Sequence, residues 1–194
     1  MRTEQEMYTM IINTAKADDR ILAVYMNGSR VNPEAERDIF QDYDIAFVVK
    51  ETESFRRDRT WIDRFGDRLY MQYPEENDEF PSDVENCYGW LMQFADENRL
   101  DLHVQTLSYS LQMMEEDRMF RILYDKAGCL SEAPEPTAEQ YRVQRPEESQ
   151  FLFVCNESWW CLNNVAKGLW RKEVPYAQDI VNLHVRPQLI TLLS

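Results

Sequence analysis

Residues 21–49 read ILAVYMNGSRVNPEAERDIFQDYDIAFVV. Two short apolar runs containing β-branched residues, 21–26 and 45–49, flank a polar segment, and runs of this length closed by turn residues are buried strands. The first run ends on Asn27-Gly28-Ser29, and the second is entered through Asp42-Tyr43-Asp44. Residues two apart in a strand project to the same face, so Asp42 and Asp44 set two carboxylates side by side. Like charges this close are unfavourable unless something positive lies between them. A hard divalent cation with oxygen ligands, Mg²⁺ above all, is the usual compensation. The Gly28-Ser29 turn is the complementary half, because glycine lets the backbone approach a ligand closely and turn N–H groups form an anion-binding concavity. Turn and acids together imply a nucleoside triphosphate held between backbone and metal.

Outward from this stretch the pattern alternates between helix and strand. Met7, Met10, Ile11, Ile12 and Ala15 recur at helical spacing over 3–17, with Thr3 and Glu6 forming a capping box. Residues 33–40 are polar and read as loop or a short helix. Leu69, Met71 and Tyr73 alternate with polar neighbours over 68–73, Pro74 ends that strand, and the acidic stretch 75–85 reads as a surface excursion. Residues 88–94 suit strand or helix. Leu100, Leu102, Val104 and Thr106 alternate with Asp101, His103 and Gln105, giving a strand over 99–106 with one wet face. Asp101 is thus a third carboxylate able to face the same pocket, as a metal ligand or as the base for an attacking hydroxyl. His103, two residues on, reads as structural or as support for that group, and His184 as structural. A short helix over 108–117 and a strand over 121–125 complete a mixed unit.

From 127 to 146 the composition turns to Gly, Ser, Pro, Glu and Thr, which marks a boundary. The expected organisation is a catalytic domain at 1–130, a linker at 131–146 and the start of a helical domain at 147–194. Residues 147–170 carry a long apolar and aromatic helical pattern, and 176–193 begin another that stops in the run 189–193 without a C-cap signal. A helical domain cut short is the expectation.

Charge restricts the partners. Across 194 residues, 35 acidic against 21 basic side chains give a formal charge of −14. Such a surface repels phosphate backbones and anionic headgroups, which argues against nucleic acid and membrane partners; it would attract a small polycation, or serve solubility alone. Cys87, Cys129, Cys155 and Cys161 show no zinc-ligand spacing and read as reduced, structural thiols. No apolar stretch approaches the roughly 18 residues of a membrane span, so a cytoplasmic location is expected.

The ordered series Met26-Asn27-Gly28-Ser29, Asp42-Tyr43-Asp44-Ile45 and Leu100-Asp101-Leu102 resembles the nucleotidyltransferase superfamily pattern. The longer segments MNGSRVNP (26–33), FQDYDI (40–45), LMQF (91–94) and WWCLNNVAKGLWR (159–171) resemble bacterial aminoglycoside 6-adenylyltransferases of the streptomycin-modifying kind. That resemblance covers essentially the whole chain. It implies an α+β fold, a nucleotidyltransferase-like mixed β-sheet flanked by helices and followed by an α-helical C-terminal domain. It also implies transfer of AMP from ATP to the 6-hydroxyl of streptomycin with release of pyrophosphate.

Roles follow from the same resemblance. Asp42 and Asp44 would hold Mg²⁺, Gly28, Ser29 and Arg30 would contact the β- and γ-phosphates, and Asp101 would act as base and meet the acceptor. Lys167 would reach the triphosphate from the helical domain, with a snorkelling lysine as the alternative. Glu157 and Trp159, with Trp160 beside it, would meet the cationic antibiotic, although aromatics at helical spacing usually fill a core and Trp159, Trp160 and Trp170 suit packing better. A monomer is expected. A protein-modifying enzyme of the same fold, or a nucleotide-binding protein without turnover, are the competing readings; a relic has no physical reason to retain adjacent like charges.

Overall fold

The computed structural model describes residues 1–130 and 135–193, which divide into two compact units, Met1–Gln140 and Tyr141–Ser194. The first unit is a six-stranded sheet with helices. Helix α1 (Glu4–Ala17) opens it, with Thr3 and Glu6 closing the expected capping box and Met7, Ile11 and Ala15 buried along one stripe. Strands β1 (Ile21–Met26) and β2 (Tyr43–Val49) follow, joined by a loop. Helix α2 (Glu53–Arg57) and a 3₁₀ turn (Trp61–Phe65) lead into β3 (Arg68–Gln72), β4 (Cys87–Phe94) and β5 (Arg99–Thr106). Helix α3 (Leu107–Glu116) and β6 (Arg121–Asp125) complete the sheet, whose order is β3-β4-β5-β2-β1-β6. Every pairing is antiparallel except β2 with β5.

Period-two alternation sorts the sheet into two unlike faces. On one, Val24, Met26, Ile45, Phe47, Leu100, Leu102 and Val104 are fully buried with α1 and an aromatic cluster around Trp61. Trp61 lies 4.9–6.1 Å, centroid to centroid, from Phe55, Trp90, Phe65 and Phe47, mostly edge to face. Its indole N–H donates to Asp18 at 2.9 Å, so the polar tip is satisfied inside the cluster. The opposite face has a smaller core of Ala23, Tyr25, Ala46, Val48 and Phe120, and α3 packs there over β2 and β5. The remainder of that face carries polar groups.

Two local readings change. Residues 88–94 are strand, since β4 pairs with β5 along its whole length, from Cys87 opposite Gln105 to Gln93 opposite Arg99. The polar side of β5 is drier than its alternation suggests: Asp101 is 8% and Gln105 9% exposed, Asp101 under the Arg99 guanidinium and Gln105 against Ser110 of α3 and the Tyr25 hydroxyl. Helix α2 and the Trp61–Phe65 turn have no counterpart in the sequence reading, being too short to show a period.

The second unit is helical. Helix α4 (Glu148–Trp170) precedes α5 (Val174–Ile180), which passes through a π-helical turn (Val181–Val185) into α6 (Arg186–Leu192). Pro187 sits in the first turn of α6, and its missing N–H fits the widened ladder just before it. Among the described residues no helix is long and apolar enough to cross a membrane.

Candidate active site

The parallel pairing of β2 and β5 sets Asp44 directly opposite Asp101, and Asp42 precedes β2 on the same side. One oxygen from each of Asp42, Asp44 and Asp101 lies within 4.8 Å of the others, a donor set of hard oxygens suited to Mg²⁺. Burial, then the charges of Asp42 and Asp101, push the Asp44 carboxyl up to about 6, with Arg99 pulling the other way.

The chain leaves β1 beside the start of β2. The Asn27 N–H donates to the Asp44 carbonyl at 3.0 Å, and the Val31 N–H to the Gly28 carbonyl at 3.1 Å, which closes a turn. Gly28 has φ +74°, and a Cβ built on it would stand 1.9 Å from Asp44 Oδ2. Only glycine therefore lets the turn lie against the carboxylate. The Asn27 Oδ1 is buried with no hydrogen-bond partner among the described residues, an acceptor left for a ligand.

Arg99 closes the acidic group. Its guanidinium donates to both Asp101 oxygens, Nε at 2.9 Å and Nη2 at 2.5 Å, and its Nε lies 3.5 Å from Asp42. The two-pronged bond fixes the plane of the Asp101 carboxylate. A cavity of about 400 Å³ opens beside these groups, lined by Asn27, Gly28, Asp44, Glu75, Cys87, His103, Gln105 and Tyr109 among others.

The profile of one family, described as streptomycin adenylyltransferase, matches residues 1–194. The chain belongs to the streptomycin adenylyltransferase family. It is 39% identical over 194 residues to an aminoglycoside 6-adenylyltransferase of Campylobacter jejuni, covering all of this chain and 67% of that protein. With the aminoglycoside 6-adenylyltransferase of Bacillus subtilis (strain 168) the identity is 36% over 195 residues, covering 100% of this chain and 69% of the relative. The crystal structure of an aminoglycoside 6-adenyltransferase from Bacillus subtilis aligns at TM-score 0.55 and 32% identity, over 100% of this chain and 66% of that one. The chain thus spans about two thirds of the length of these relatives.

The first unit brings together Gly28, Asp42, Asp44 and Asp101 of the residues singled out in the sequence, with Ser29 inside the turn that follows Gly28. Arg30 is also nearby but engaged elsewhere. Its Nε donates to the Asp42 carbonyl and its Nη2 to the Gln41 carbonyl, both at 2.7 Å, and its guanidinium lies 3.8 Å over the Tyr43 ring. Arg30 therefore braces the approach to β2. Lys167, Glu157 and Trp159 lie on α4 of the second unit, with Lys167 and Trp159 exposed and Glu157 accepting from Cys161 Sγ at 3.5 Å. Trp160 and Trp170 are exposed on the same helix, as is His184 further on.

Sequence reasoning missed Arg99, Glu75 and Cys87. Arg99 carried a usable signal, since it stands two residues before Asp101 and shares its face. Glu75 reads as the start of a surface excursion, yet its side chain is only 11% exposed and accepts the Gly89 N–H at 2.9 Å. Cys87 reads as a structural thiol, yet one atom each of Glu75, Cys87 and His103 lies within 4.8 Å of the others.

Proposed function

We propose that this chain transfers AMP from ATP to the 6-hydroxyl of streptomycin, releasing pyrophosphate. The observation that carries the reading is the convergence of Asp42, Asp44 and Asp101 beside the Gly28 turn in a member of this family. The names of the relatives support an aminoglycoside as acceptor. The formal charge of −14 suits a polycationic one. We assign catalysis to a domain at 1–130 and a supporting role to the helical residues 147–194, with a cytoplasmic, monomeric protein.

Asp42 and Asp44 would hold Mg²⁺, which when bound supplies charge neutralisation at the α-phosphate. The backbone of the Gly28-Ser29 turn donates to the β- and γ-phosphates. Asp101, oriented by Arg99, takes the proton of the acceptor hydroxyl as its oxygen bonds to the α-phosphorus. The bond from that phosphorus to the bridging oxygen breaks, and pyrophosphate leaves with the electron pair. Lys167 contacts the triphosphate, while Glu157 and Trp159 meet the antibiotic.

Pyrophosphate release with ATP, Mg²⁺ and a panel of aminoglycosides tests this. Streptomycin-dependent release that Asp42→Asn abolishes is the expected result. Release with another aminoglycoside only would overturn the acceptor, and silence across the panel the reaction.

A further inference from the structure

The sheet face that carries the aspartates holds a second convergence of donor atoms, unused by adenylyl transfer. Glu75 follows β3, Cys87 opens β4 and His103 lies mid-way along β5. We propose that Glu75, Cys87 and His103 form a distinct site for a thiophilic divalent cation such as Zn²⁺, with carboxylate, thiolate and imidazole ligands and a fourth position left to water or a ligand in the cavity.

The donor chemistry separates this site from its neighbour. Three aspartates offer oxygen alone and suit Mg²⁺, whereas one sulfur, one nitrogen and one oxygen suit zinc. The spacing also fits. A tetrahedral ion with ligand bonds of about 2.0–2.1 Å sets nitrogen and oxygen roughly 3.4 Å apart, and His103 Nε2 lies 3.6 Å from Glu75 Oε1. All three donors lie within 4.8 Å of one another, so closure on an ion needs side-chain shifts of about 1 Å.

The surroundings hold the donors in place. The Gly89 N–H at 2.9 Å fixes one Glu75 oxygen and leaves the other beside the imidazole. Position 89 is glycine because a Cβ there would stand 2.4 Å and 2.6 Å from His103 Cδ2 and Nε2. The Gln105 Oε1 accepts from the Tyr25 hydroxyl at 2.5 Å and from Ser110 at 3.4 Å. The amide nitrogen of Gln105 is thereby turned toward Cys87 Sγ, 3.7 Å away. A donor aimed at sulfur supports a thiolate ligand.

Charge is the remaining argument. Among the described residues Glu75 forms no salt bridge with a lysine or arginine, and the imidazole of His103 stands 3.6 Å from its free oxygen. Binding forms the metal–sulfur bond and releases the thiol proton to solvent.

The test titrates the full, EDTA-stripped chain with Co²⁺ in excess Mg²⁺, followed by absorption, and measures X-ray absorption of the Zn²⁺-loaded wild type. We expect one Co²⁺ per chain with a thiolate-to-cobalt charge-transfer band. That band is lost in Cys87→Ser, at least about tenfold weaker to titrate in Glu75→Gln, and unchanged in Asp42→Asn. The zinc spectrum should contain one sulfur at about 2.3 Å. A zinc shell without sulfur, a band surviving Cys87→Ser, or a band lost in Asp42→Asn would overturn the site. The wild-type spectrum decides even if a variant misfolds. Because the Mg²⁺ aspartates are retained in the wild-type chain, failure here leaves adenylyl transfer untouched.

Discussion

Gly28→Ala asks whether the turn and the acidic strand work as one device. Gly28 has φ +74°, and a side chain in that region costs about 1–2 kcal/mol. The new Cβ would also land 1.9 Å from Asp44 Oδ2 and 2.8 Å from its Cγ. Real contacts of this kind stay beyond 3.0 Å, so the carboxylate must retreat by about 1 Å or more, a displacement that costs roughly 10²-fold in rate. Gly128 separates strain from collision, because it has φ +60° and a methyl group there would meet nothing within 4 Å. Both alanine variants should therefore lose the strain of about 1–2 kcal/mol, a fall in Tm of roughly 2–8 °C, and Gly28→Ala should lose more through its collision with Asp44. Only Gly28→Ala should also lose about 10²-fold in kcat for pyrophosphate release at saturating ATP, Mg²⁺ and streptomycin. If Gly28→Ala keeps kcat within about threefold of wild type while melting cooperatively, the coupling of turn to Asp44 is refuted.

Four further outcomes are expected. The fold raises the Asp44 carboxyl from 3.8 to about 6, so its protonated form is favoured and the associated stability, present below about pH 4, is lost as pH rises through about 6. In metal-free protein Asp44→Asn should then stabilise by on the order of 1–2 kcal/mol at pH 8 and by nothing at pH 4, measured by calorimetry; equal effects at both pH values would sink the argument. Arg99→Met removes the fork on Asp101 and the guanidinium that pulls the Asp44 carboxyl down, so kcat should fall about tenfold and the acid limb of the pH–rate profile should move upward; an unmoved limb refutes the link. Lys167→Ala should raise KM for ATP several-fold with kcat nearly constant, and an unchanged KM would identify a solvated lysine. Trp61→Ala should cost about 3–5 kcal/mol in urea unfolding, given its aromatic neighbours and its bond to Asp18; a cost below about 1 kcal/mol would mean that the cluster is not the core it looks like.

Much of the sheet was legible because its strands carry their burial in a local period. β1, β2 and β5 alternate or run apolar over six to eight residues between turn signals, and α1 announces itself through Thr3 and Glu6. β4 was ambiguous because Tyr-Gly-Trp-Leu-Met-Gln-Phe fits either period; its partner β5 settles it, and partners are not local information. The same limit hid the dryness of β5. Asp101 and Gln105 look like a solvated edge in one dimension, and only the Arg99 guanidinium over the first and Tyr25 and Ser110 against the second account for their burial.

The site divides along the same line. Asp42 and Asp44 could be paired from a two-residue spacing, and Asp101 joined them by the general pattern of a later acid between apolar residues. Their meeting depends on one structural fact, the parallel register that sets Asp44 opposite Asp101. Glu75, Cys87 and His103 had no such signature, since twelve and sixteen residues separate them and no helix or turn motif links positions so spaced. They meet because antiparallel pairing of β4 with β5 sets Gly89 opposite His103, and because the chain after β3 returns Glu75 to the Gly89 N–H. A glycine therefore marks each donor set. Gly28 makes room for Asp44 and Gly89 makes room for His103, and in both cases the missing Cβ is explained by the functional group that occupies its place.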